Sequence, residues 1–262
     1  MWIIGLKLNA LSWEVAMRPG YRLYEPLFVL KPIAPDVWVA DGGEIRMHLG
    51  ILRLPFPTRM IVVRLPDGGL WVHSPIAAAP RLIAQVRELG AVTHLVAPNN
   101  LHYTWISAWS HEFGQARVWA APGMSANSST RLPKHELLSD TEPPPEWQGS
   151  FKQQRISGGP LTEVDFFHRK SRTLILTDAI ENLDLKRFRS VIYRFVTWAA
   201  GSNEPDGMLP WELRKHFQTN RCYNRAAIDR MIQWQPERIL LAHGRCYYQD
   251  GAEELKRAFR WL

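Results

Sequence analysis

Cysteine is nearly absent from this chain of 262 residues, with only Cys222 and Cys246 present. The two form no Cys-x-x-Cys pair and are too few for a disulfide framework. This argues against a small disulfide-stapled secreted scaffold and makes a reducing compartment the simpler expectation. No apolar run approaches the roughly 20 residues needed to span a bilayer. The opening Met1-Trp2-Ile3-Ile4-Gly5-Leu6 is apolar, but no basic stretch precedes it and it is shorter than a signal-peptide core, so a cytoplasmic protein is expected. Internal repeats and low-complexity blocks are missing, and the chain reads as a succession of distinct elements. Glycine-rich phosphate loops and Gly-x-Ser-x-Gly elbows are missing too, so neither motif offers a starting point for the chemistry.

What is present is apolar and basic. Hydrophobic residues make up 46% and charged residues 22%, the composition of one large globular domain or two small ones. Twelve Trp, ten Phe and seven Tyr supply much of the area whose burial contributes about 25 cal/mol per Å². A net charge of +7 permits attraction to nucleic acid, anionic lipid or an acidic substrate without selecting among them. The densest basic region is Lys186-Arg187-Phe188-Arg189, followed by Arg194, Arg214, Lys215, Arg221, Arg225 and Arg230. A solvated helix face is its plain reading.

Periodicity divides the chain into strands followed by helices, twice. Val37–Ala40 reads as a strand, Asp41-Gly42-Gly43 as a turn, and Arg59–Leu65 as a β-rich run. Pro66-Asp67-Gly68-Gly69 is a strong hairpin turn before Leu70–Ser74. Leu82, Ile83, Val86 and Leu89 fall at helical spacing, with Gly90 as the stop. Thr93–Ala97 and Arg117–Ala120 read as strands, with a loop entering a helix over 99–109 between them. Thr141–Pro145 reads as an exposed connection. In the second half the strands are Glu163–His168, Thr173–Asp178 and Arg238–Ala242, and the helices run roughly over 184–200, 222–234 and 251–262. This grammar predicts a layered α/β sandwich.

Three polar residues stand just past the ends of predicted buried strands, where α/β sheets present ligands: His102, Asp178 and His243. Two imidazoles and a carboxylate suit Zn²⁺ or Fe²⁺ if the fold gathers them; otherwise they are a polar cluster held by mutual hydrogen bonds. Asn99, in an Asn pair after Pro98, could present its amide to a substrate or simply serve the loop. His94 and His111 read as structural, and His48 and His216 show no partner pattern.

The order of these elements resembles the metallo-β-lactamase superfamily. The resemblance is carried over roughly residues 35–262 by Leu70-Trp71-Val72-His73-Ser74-Pro75, Ala97-Pro98-Asn99-Asn100-Leu101-His102, Leu176-Thr177-Asp178 and Leu241-Ala242-His243-Gly244. It is closest to a bacterial domain-of-unknown-function family in which His-Ser-Pro, Ala-Pro-Asn, Thr-Asp and Ala-His-Gly recur at these places. The resemblance implies a four-layer αββα sandwich forming a single domain over 1–262, with halves of about 35–145 and 150–262. Ala97, Asn99 and Leu101 stand where the superfamily carries two His and an Asp. The implied metal set is therefore reduced to His102, Asp178 and His243, for at most one ion.

His73 occupies the turn where the superfamily carries an Asp and is the first candidate to complete the site, with His168 and Glu163 behind it. Two function classes follow. One is a mononuclear metal-dependent hydrolase, or a related lyase or oxidase, in which His73 completes or orients the shell and Asn99 contacts a small, anionic substrate. The other is a non-catalytic binding or scaffold descendant that uses the basic helical segment over 184–230. Nucleic-acid processing is not expected, because the full motif it needs is missing.

Overall fold

The computed structural model describes residues 19–49, 52–123, 132–159 and 161–262; the apolar Met1–Leu6 lies outside the described residues. The first sheet joins β1 (Lys31–Ala34), β2 (Val37–Leu49), β3 (Leu52–Arg64), β4 (Leu70–His73), β5 (Val92–Ala97), β6 (Arg117–Ala120) and β7 (Glu136–Leu137) in chain order. The second joins β8 (Phe151–Gly158), β9 (Leu161–His168), β10 (Thr173–Leu176) and β11 (Arg238–Leu241), with β11 at one edge and β8 at the other. The helices are α1 (Pro80–Leu89), α2 (Ile106–Glu112), α3 (Val191–Ala200), α4 (Trp211–Phe217), α5 (Arg221–Gln233) and α6 (Gly251–Ala258).

The layers follow from the period-two alternation of the strands. Val37, Val39, Ile61, Val63 and Trp71 face the second sheet, packing with Phe151, Phe166, Leu174 and Leu240. Their neighbours Ala40, Met60, Val62, Leu70 and Val72 face the other way, onto Leu82, Ile83 and Val86 of α1 and Trp109 of α2. On the far side of the second sheet, Ala227, Ile228 and Met231 of α5 and Leu255 and Ala258 of α6 close the core. This is the expected αββα sandwich. Aromatics dominate the seam: the Trp71 ring lies 4.6 Å from Phe151 and 5.0 Å from Phe166, contacts each adding about 0.5–1.5 kcal/mol beyond area burial.

Several elements differ from the periodicity reading. Asp41-Gly42-Gly43 is not a turn: β2 continues through it, with a register shift against β3 between Asp41 and Glu44. Gly42 is needed there because a Cβ would stand 2.5 Å from Thr58 Oγ1. The helix expected over 184–200 is split, with a single 3-10 turn at Leu185–Arg187 and extended backbone at Phe188, whose ring is buried. Helix α4 was not anticipated, being only seven residues long. Strand β8 was also missed, because its polar Gln153 and Gln154 are buried; the Gln153 amide donates to the Ser139 carbonyl at 2.8 Å.

Two pairs of parallel neighbours position the site. β4 runs parallel to β5, with Val72 opposite Leu95, and β10 runs parallel to β11, with Leu176 opposite Leu241. Their C-terminal ends deliver Ser74, the 99–102 loop, Asp178 and His243 to one place. Arg59 ties the sheets together there. Its buried guanidinium donates to the carbonyls of Leu241 (2.8 Å) and Gly244 (2.7 Å) and pairs with Asp41 at 2.7 Å.

Candidate metal centre

His102, Asp178 and His243 each offer one ligand atom, all within 4.8 Å of one another. His102 Nε2 lies 3.1 Å from His243 Nε2, and both imidazoles stand 3.3 Å from an Asp178 carboxylate oxygen. His243 Nδ1 is 2.7 Å from the Pro57 carbonyl, which can only accept, so Nδ1 carries a proton and Nε2 faces the cluster, where it donates to Asp178 if the ring is charged and offers its lone pair if the ring is neutral. His102 Nδ1 is 2.6 Å from Ser74 Oγ, a hydroxyl that can donate or accept and so suits either tautomer.

Asp178 is 5% exposed. Burial alone would raise its carboxyl, but the charge and hydrogen bonds of His102 and His243 override that and hold it well below the usual carboxylate range. The donor chemistry fits a divalent ion: two imidazole nitrogens and an ionised carboxylate, with hydrogen bonds behind both rings fixing their orientation.

Beneath the cluster lies a second layer. Asn99 is fully buried, and its amide nitrogen lies within hydrogen-bond distance of Asp178 Oδ2 (2.8 Å), Thr177 Oγ1 (2.9 Å) and Glu163 Oε2 (3.1 Å). Its carbonyl oxygen accepts from the backbone N–H groups of Leu101 (2.8 Å) and His102 (2.9 Å). Glu163 accepts from the backbone N–H groups of Thr177 (2.6 Å) and Asp178 (2.8 Å). Asn99 and Glu163 thus form a buried hydrogen-bonded pair, and Ala97 is also fully buried.

The residues singled out from sequence therefore separate. His102, Asp178 and His243 come together. Asn99 lies behind Asp178 with both ends of its amide bonded inward. His73 is fully buried, stacked 5.3 Å from Trp71 and edge-on to Phe166, and lies outside the three-residue cluster. Neither of its ring nitrogens has a hydrogen-bond partner among the described residues. Burial, and next the neighbouring His102, push its imidazole well below the usual histidine range. His168 bonds Ser171 at 2.8 Å.

Sequence reasoning passed over three residues. Ser74 neighbours the chosen His73 but has a left-handed backbone (φ 50°) that no spacing rule reveals. Arg59 acts across more than 180 positions. Glu181 lines the cavity and is raised well above the usual carboxylate range by burial and then by Asp178.

A cavity of about 140 Å³ opens over the cluster. Ile45, Met47, Phe56, Leu101 and Trp105 give it apolar walls, and Ser74, Glu181 and Thr58 add polar points. A protein-family model for a domain of unknown function, DUF4336, matches residues 44–193, more than half of the chain and all of the site except His243. The chain belongs to the DUF4336 family.

Among curated proteins, no match to the sequence was found. Among solved structures, this DUF4336 chain has the fold of metallo-β-lactamases. The DIM-1 metallo-β-lactamase superposes with a TM-score of 0.59 at 10% identity, over 92% of this chain and 99% of that one. A metallo-β-lactamase from Pontibacter korlensis gives 0.55 at 12% identity, over 91% and 98%. FIM-1 from Pseudomonas aeruginosa, in its mono-zinc form, gives 0.53 at 12% identity, over 88% and 93%.

Proposed function

We propose that this protein is a mononuclear metal-dependent hydrolase acting on a small molecule, with His102, Asp178 and His243 holding one divalent ion, zinc or iron. The observation that carries the reading is the orientation of the donors. His243 has its Nδ1 proton committed to the Pro57 carbonyl, so its Nε2 faces Asp178 and His102 Nε2 in a cluster spanning no more than 4.8 Å. Three protein ligands beneath an open cavity are the pattern of a catalytic site and differ from a closed structural one. FIM-1, one of the structural relatives, is described in a mono-zinc form, which supports the reading that a sandwich of this kind can hold a single ion.

A bound ion would supply Lewis acidity toward a carbonyl or a water at the open position. The chain's own residues do the rest. Asn99 and Glu163 hold the Asp178 loop in place as positioning residues. Ser74 orients His102, and Glu181, its carboxyl raised well above the usual range by burial and then by Asp178, adds a polar group on the cavity wall. The Asp position of the superfamily is Leu101, which contributes an apolar contact and no base.

The anionic substrate expected from the net charge gains no support from the cavity. Its two guanidinium groups are already neutralised, Arg59 by Asp41 at 2.7 Å and Arg46 by Glu44 at 2.8 Å. A small substrate with an apolar portion suits these walls better.

Elemental mass spectrometry on protein purified without chelator or histidine tag tests the assignment. About one equivalent of Zn or Fe is expected in the wild type, with none in the His102→Ala, His243→Ala double variant. A metal-free wild type would sink the hydrolase reading.

A further inference from the structure

Helix α3 exposes an apolar face to solvent. Val191 is 73% exposed, Ile192 62%, Phe195 63% and Trp198 58%, whereas Thr197 is its one fully buried residue. At 100° per residue these four side chains fall within an arc of roughly 120° that contains no charge. The opposite face carries the half-buried Tyr193 and Val196, which pack against Tyr21 and Phe188. The apolar arc is therefore surplus to the core.

Cations flank the start of this helix. Lys186, Arg189, Arg194 and Arg22 are all exposed. Arg194 Nε donates to the Phe188 carbonyl and Arg22 Nη2 to the Lys186 carbonyl, which keeps both guanidinium groups beside the helix start. The nearby acids are already engaged: Asp184 pairs with Arg187 and Glu204 with Arg245. The remaining basic residues of the 184–230 segment belong elsewhere. Arg225 pairs with Asp229, Arg230 donates to Gln154, and Arg214 lies over Trp261.

We propose that α3 is an interfacial helix that docks the protein on an anionic lipid surface, with Val191, Ile192, Phe195 and Trp198 entering the headgroup–acyl boundary and Lys186, Arg189, Arg194 and Arg22 meeting lipid phosphates. Two arguments select a membrane over a second copy of the chain. A ten-residue helix offers on the order of 400 Å² along this arc, half of the about 800 Å² per partner that a stable protein interface buries. A second copy would also bring an identical cationic flank against this one, a like-charge contact, whereas an anionic bilayer complements both the apolar arc and its cationic flank. The inner face of α3 belongs to the same cluster as Ile45, Met47 and Phe56, which line the cavity. The proposal does not depend on the metal centre, and its failure would leave that assignment untouched.

The full chain should co-sediment with vesicles of three parts phosphatidylcholine to one part phosphatidylserine, far less with phosphatidylcholine alone, and less as salt is raised. Phe195→Ser, Trp198→Ser should weaken partitioning by about a hundredfold, since each buried ring contributes about tenfold or more. Lys186→Glu, Arg189→Glu should remove the preference for the anionic vesicles. All four substituted positions are exposed, and circular dichroism would verify that each variant stays folded. Absence of vesicle binding would overturn the proposal, as would binding that the Ser variant leaves intact. A wild-type dimer in sedimentation velocity that the Ser variant dissolves would assign the face to a second copy and overturn it as well.

Discussion

Asn99 uses both ends of its side chain on its own protein. Its amide nitrogen serves two buried carboxylates, and its oxygen caps two backbone N–H groups of the loop that carries His102. Replacing it with Ala would leave Asp178 and Glu163 short of a donor in a dry environment and would free the 99–102 turn. Asn99→Ala is expected to lower unfolding free energy by about 3 kcal/mol and to reduce bound metal. Urea denaturation together with elemental analysis checks both effects. A loss below about 1 kcal/mol would mean that water replaces the amide, contrary to the full burial of Asn99. The prominence of His73 in the sequence reflects its place at a strand end, but the side chain points into the aromatic seam and Ser74, one residue later, reaches the cluster.

At the scale of elements, the turn after β11 decides whether His243 reaches the site. Gly244 has φ +84°, and a Cβ there would stand 2.0 Å from the Asn182 carbonyl oxygen. The close approach lets Asn182 N–H bond the His243 carbonyl and Arg245 N–H bond that of Asn182, which locks β11's exit against the loop following Asp178. Gly244→Ala would have to push this backbone apart, at a cost of about 3 kcal/mol or more, and would move His243 away from Asp178. Gly114→Ala is the control: nothing lies within 4 Å of its would-be Cβ, and a change within about 0.5 kcal/mol is expected. Thermal unfolding and metal content of the two variants should diverge; equal behaviour would refute the argument.

For the whole molecule, three buried histidines set the acid limit. Burial pushes His94 and His168 down to about 4, and His73 falls well below the ordinary value of 6.5. The folded state thus holds these rings neutral, whereas the unfolded chain protonates them as pH falls through 6.5. Their contribution to stability is fully present above 6.5 and is lost progressively from there toward 4, where the folded His94 and His168 also take up protons. The urea midpoint should fall between pH 7 and pH 5, by a few kcal/mol of stability in sum, and His73→Phe should flatten the dependence. A midpoint unchanged over that range would show that these rings titrate normally.

The sequence by itself determined what depends on neighbours a few residues apart. The Pro66–Gly69 hairpin turn, the apolar stripe of α1 ended by Gly90, and the placement of His102, Asp178 and His243 past strand ends are local consequences of turn chemistry and periodicity. What only the tertiary structure decided depends on groups far apart in the chain. Arg59 bonding the carbonyls of Leu241 and Gly244, Glu163 capping Thr177 and Asp178, the burial of polar β8, and the exposure of the apolar arc on α3 leave no periodic trace. Hydrophobicity predicts that a side chain will be buried, but which partner it meets, and whether a surplus apolar face is left uncovered, is settled only when the two sheets and their helices pack.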